Sequence, residues 1–131
     1  MSRKEIFNDY ERNFNSLQNE LHFKIGEEYD LNEFNLKFIK STFKNGLEYE
    51  NYQYIKKDIT SLLEVEFTNS ITLQYNTDIL SKIIYEFDIK DYESLKSKIE
   101  KYTFKEITLE ILLKDKNNFQ IVITQKDKSG Y

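Results

Sequence analysis

Apolar positions along this chain switch between helical and extended spacing, and the switches mark out its elements. Ser2 and Glu5 form a capping box, a serine oxygen and a glutamate three residues on that satisfy the orphan amides of a helix start. Ile6, Tyr10, Phe14, Leu17 and Leu21 then recur at steps of three and four, one face of a helix over about residues 3–19. Leu21, Phe23 and Ile25 change to a two-residue period, an extended exit ending at Gly26.

Asp30 and Glu33 could cap a helix running through Phe34 and Phe38, but residues 36–43 followed by Lys44-Asn45-Gly46 also read as a strand entering a turn. Asn-Gly tolerates the positive φ of a type I′ turn, so the hairpin is favoured, with residues 47–55 returning. Ile59, Leu63, Val65 and Phe67 share one parity and predict a strand, Thr68-Asn69-Ser70 a turn, and Ile71, Leu73 and Tyr75 a further strand.

Asn76 or Thr77 can cap a helix whose stripe is Ile79, Leu80, Ile83, Ile84 and Phe87. Asp88 opens a second, with Ile89, Tyr92, Leu95, Ile99 and Tyr102 along one side. The two-residue period returns at Ile107, Leu109, Ile111 and Leu113; residues 115–118 turn, and Phe119, Ile121 and Ile123 answer. Leu109 and Ile111 are expected beneath the helix bearing Ile83 and Ile84. Residues 126–131 read as a polar tail. The predicted class is α+β: an N-terminal helix, a mostly antiparallel sheet of hairpins, two consecutive helices and a C-terminal β-hairpin, without the strand–helix alternation of a parallel sheet.

Composition changes this picture little. The 131 residues suit a single domain able to bury about two-thirds of its unfolded surface. Ten Phe and ten Tyr supply much of the core. Seventeen lysines against two arginines, with abundant Ile and Asn and no Ala, Pro, Cys or Trp, follow AT-rich codons and point to a low-GC bacterium, a phage or a mobile element. The lack of cysteine, of an apolar leader and of any apolar run near ~18 residues predicts a cytoplasmic protein without a membrane span.

The same composition removes most catalytic vocabulary. One histidine (His22), no thiol and three scattered glycines leave no zinc site, calcium loop, dinucleotide fingerprint or phosphate loop, and no cofactor is implied. Carboxylate pairs such as Glu48/Glu50 and Glu64/Glu66 could serve acid–base chemistry in a cleft, but residues two apart on a strand more often form its wet face.

Charge is uneven. Residues 27–66 carry nine acids against five lysines, net −4, whereas residues 90–128 carry nine lysines against seven acids, net +2. Within the acidic stretch, Phe43, Tyr49, Tyr52 and Tyr54 interleave with Glu48 and Glu50. Tyrosine offers a large rigid contact with a polar tip, suited to the energetic centre of an interface. The carboxylates favour a basic protein partner over nucleic acid, which they would repel. Glu48, Tyr49, Glu50, Tyr52, Tyr54, Glu64 and Glu66 are therefore the candidate partner-binding residues, the rival being an ordinary solvated hairpin.

A small acidic domain of this kind has the character of a protein that neutralises another by binding it, as a bacterial immunity protein covers the active site of a basic toxin such as a nuclease. Three alternatives stand beside it: a phage or mobile-element inhibitor mimicking nucleic-acid charge, an enzyme or small-ligand binder with a pocket between sheet and helices, and an assembly component.

Overall fold

The computed structural model describes residues 21–66, 70–101 and 107–125. The helix expected over 3–19, Phe67 and the turn residues Thr68 and Asn69, Tyr102 and the tail at 126–131 lie outside them.

Asn45 and Gly46 turn the chain between β1 (Leu36–Lys44) and β2 (Leu47–Tyr54), with φ of 53° and 79° as a type I′ connection needs. The connector that follows folds into a small separate ribbon, β3 (Ser61–Leu62) and β4 (Val65–Glu66). A second long hairpin joins β5 (Ile71–Asn76) to β6 (Ile79–Asp88). Helix α1 (Tyr92–Ile99) comes next, then the third hairpin, β7 (Ile107–Leu113) and β8 (Asn118–Gln125). The long strands form one sheet in the order β1-β2-β5-β6-β8-β7, each antiparallel to its neighbours.

This architecture overturns the α+β order with two consecutive helices. The first of those helices is strand β6, in the middle of the sheet, and the second shrinks to a 3-10 turn, Ile89–Asp91, leading into α1. Among the described residues the chain is a predominantly β protein with one short helix.

The cause is a bulge. Gln74 pairs with Lys82 and Tyr75 with Leu80, so Ser81 is an extra residue without a partner, and its hydroxyl donates to the Gln74 carbonyl at 3.1 Å. Leu80 and Ile83 consequently face the same side, imitating helical spacing. Thr77 and Asp78, which resemble an N-cap, instead form a two-residue turn with φ of 49° and 65°.

Beyond the bulge the strands alternate cleanly. Ile71, Leu73, Tyr75, Ile83, Tyr85, Phe87, Phe119, Ile121 and Ile123 are buried on one side, here the core face. One sheet cannot bury such a face alone, and the connectors roof it. The β3–β4 ribbon supplies Leu62, Leu63 and Val65, α1 supplies Leu95 and Ile99, and the segment before β1 supplies Leu21 and Phe23. The Tyr85 hydroxyl ties sheet to roof by donating to the Leu21 carbonyl. Phe87 stacks on Phe119 at 5.4 Å, with Tyr92 of α1 edge-on to Phe119.

Leu109 and Ile111 are only half-buried, because β7 is an edge strand and Ile83 and Ile84 belong to the sheet rather than to a covering helix. The strand expected through Ile59, Leu63 and Val65 is likewise broken, by a turn at Leu63 and Glu64 that carries φ of 52° and 70°.

Residues 26–35 form the remaining part of the roof. Gly26 N–H donates to Leu80 O at 2.8 Å, and Tyr29 N–H to Asp78 O at 2.8 Å, pinning one end beside β6. Two 3-10 turns, Tyr29–Leu31 and Glu33–Asn35, carry the chain over the core face to β1, where Ile55 N–H donates to Asn35 O. These turns replace the helix that Asp30 and Glu33 could have capped.

Candidate functional site

Strand parity decides where the candidate residues go. Glu48, Glu50, Tyr52 and Tyr54 alternate along β2 and point to its core-face side, as the pairing of Glu50 with Tyr75 and of Tyr52 with Leu73 requires. Tyr49 points to the opposite, outer face, beside Thr42. Glu64 and Glu66 belong to the β3–β4 ribbon beside α1, where Lys98 Nζ donates to Leu63 O at 2.8 Å and lies 3.8 Å from Glu64. The seven residues therefore divide among three places.

The β2 group is the one that acquires company. Tyr52 donates to Glu50 at 2.8 Å, and its ring meets Tyr29, Phe38 and Tyr75 at 5.3, 5.6 and 5.8 Å. These are the tilted and edge-to-face distances at which aromatic quadrupoles attract. Burial, reinforced by the Glu50 carboxylate accepting its proton, raises the Tyr52 phenol well above its ordinary range. Tyr54 packs edge-on to Phe23 and donates to Asp58 at 3.0 Å; burial and that carboxylate push it up to about 12. Both tyrosines are thus neutral hydrogen-bond donors rather than acid–base groups near neutral pH, which weakens a catalytic reading of the hairpin.

Around them lies an exposed apolar and acidic surface. Phe34, Phe38 and Phe43 are 91%, 53% and 74% exposed, and Leu31 is exposed beside them in sequence. In the β1–β2 register Phe43 stands opposite Glu48 and Phe38 opposite Tyr52, so this surface occupies the core-face side where the roof ends. The crossing segment adds Glu28, Asp30 and Glu33, all exposed. Every lysine of β1 points the other way: Lys37 pairs with Gln53, Lys40 with Asn51 and Lys44 with Leu47, all on the outer face. The hairpin separates charge by face.

The sequence did not single out the exposed Phe34 and Phe38, or the exposed acids Glu28, Asp30 and Glu33, as surface residues alongside Glu48 and Glu50. The only local signal was that Phe34 falls outside every strand parity. With residues 79–88 in the sheet, α1 alone of the two expected helices remains to wall the cleft of the small-ligand alternative. No helix of the described residues is long and apolar enough to cross a membrane. No family model, curated protein or solved structure compared with the chain matches it.

Proposed function

We propose that this chain binds and neutralises a basic protein, acting as a cytoplasmic immunity-type inhibitor of a bacterial toxin. The binding surface is the core-face side of the β1–β2 hairpin together with residues 28–35. The observation that carries this reading is the exposure of Phe38 and Phe43 on the same face of the hairpin as Glu48 and Glu50, with the hairpin's lysines on the opposite face. Exposed aromatics beside carboxylates favour a protein partner, the apolar residues supplying affinity and the carboxylates steering encounter. Glu64 and Glu66 lie on the β3–β4 ribbon beside α1, and this reading does not draw on them.

The test is purification of the native complex followed by association kinetics at two salt concentrations. Glu48→Lys with Glu50→Lys should slow association by roughly tenfold at low salt and flatten its salt dependence. Phe38→Ser with Phe43→Ser should speed dissociation instead. Unchanged kinetics for both pairs would remove this surface from the interface.

A further inference from the structure

β1 is an edge strand: it pairs with β2 on one side and, among the described residues, with nothing on the other. Alternate N–H and C=O groups along its nine residues therefore point out of the sheet, a template for another strand. Its side chains are sorted by a second bulge. Ile39 has no partner in the register, and this extra residue brings Lys37 and Lys40, three apart, to the same outer face as Lys44. Leu36, Phe38, Ser41 and Phe43 point to the other side. The three lysines are exposed and make no ion pair among the described residues. The neighbouring outer-face positions of β2 are neutral: Leu47, Tyr49, Asn51 and Gln53.

We propose that the edge of β1, unpaired among the described residues, docks an extended segment of another protein in which acidic and apolar residues alternate. Added as a seventh strand, such a segment sets its carboxylates opposite Lys37, Lys40 and Lys44 on one face and its apolar side chains against Phe38 and Phe43 on the other. Main-chain hydrogen bonds hold it, and the alternation selects it. A second copy is a poor occupant. Pairing β1 with β1 of another copy about a two-fold axis places both lysine rows on one face, like charges together. Pairing it with β7 meets one acid, Glu110, on the outer face of that strand, and propagates without closing. A nucleic acid strand could meet the lysines but has no use for the open backbone edge. The proposal goes beyond the inhibitor reading: it shares Phe38 and Phe43 with that surface but depends on the lysines and the edge, and not on Glu48 or Glu50.

Fluorescence anisotropy with short blocked peptides tests it on the full chain. A peptide alternating valine and glutamate should bind saturably and about tenfold more tightly than one alternating valine and lysine. The triple variant Lys37→Glu, Lys40→Glu, Lys44→Glu should reverse that order while unfolding at the wild-type temperature, because the three side chains are exposed. Hydrogen exchange should show protection of β1 amides when the acidic peptide is bound, which adsorption by charge alone does not produce. The proposal is overturned if the acidic peptide fails to bind, if the triple variant binds it equally, or if β1 amides stay unprotected. It is equally overturned if a labelled single-stranded oligonucleotide displaces the peptide at lower concentration, or if sedimentation shows the edge already taken by a second copy.

Discussion

Leu80 and Ile83 lie on the same face of β6 although they are three positions apart, because Ser81 is pushed out of register against Gln74. Both side chains are essentially inaccessible, whereas Ile84 on the outer face is half-buried.

Truncation should follow that geometry. Leu80→Ala and Ile83→Ala should each cost about 2–5 kcal/mol, as filled core sites do, and Ile84→Ala distinctly less. Urea midpoints decide it. Equal losses at Ile83 and Ile84 would contradict the strand and revive a helical stripe.

The turn at Thr77 and Asp78 offers a gain. Both residues sit at positive φ, which is costly for ordinary side chains and more so for a β-branched threonine. Replacing the pair with Asn-Gly, the residues that suit a type I′ turn, should raise stability by about 1 kcal/mol. A thermal melt that stays put or falls would show that the turn is held differently.

Two buried tyrosines should respond differently to loss of the hydroxyl. Tyr85 donates to the Leu21 carbonyl, so Tyr85→Phe leaves that acceptor buried and should destabilise by about 1–3 kcal/mol. The Tyr75 hydroxyl is buried and makes no hydrogen bond of good geometry among the described residues, only a weaker interaction with Asn32, so Tyr75→Phe should be near neutral. Paired denaturation curves against wild type check both.

Stability should fall in alkali. Burial pushes the Tyr75 phenol up to about 12, and burial with the Asp58 hydrogen bond does the same for Tyr54, against 10.0 for an unperturbed tyrosine. A folded pKa above the unfolded one means that the unfolded chain loses its proton first as pH rises. The stabilisation is therefore complete below pH 10 and is lost progressively between 10 and about 12. Denaturant midpoints across that range should decline, and absorbance titration should show phenolate appearing late or together with unfolding.

Legibility in the sequence tracked local geometry. The alternation at Ile71, Leu73 and Tyr75, the run from Ile107 to Leu113 answered by Phe119, Ile121 and Ile123, and the Asn45-Gly46 turn all encode their structure within a few residues. Strand β6 does not. Its bulge converts period two into an apparent period of three and four, and its central place in the sheet puts apolar residues on both faces. Thr77 and Asp78 misled for a chemical reason, since residues that cap helices also tolerate tight turns. At the site, the common orientation of Glu48, Glu50 and Tyr52 followed from parity alone. The separation of Glu64 and Glu66 from them did not, because it depends on the ribbon packing beside α1 through Lys98.

The roof over the core face has a bearing on which parts of this chain can change length. The passage from β2 to β5 carries Leu62, Leu63 and Val65, and the passage from β6 to β7 carries Leu95 and Ile99, so the two longest connections are also the second layer of the protein. Insertions and deletions there would unroof the sheet. The hairpin tip at residues 45–46 covers nothing and is exposed, whereas the exposed tips at 77–78 and 115–117 hold the Tyr29 and Ile89 amides through Asp78 O and Asn117 O. Length variation, fused tags and new chain termini should be accepted at residues 45–46 and rejected in the connections, the reverse of what loop length alone would suggest.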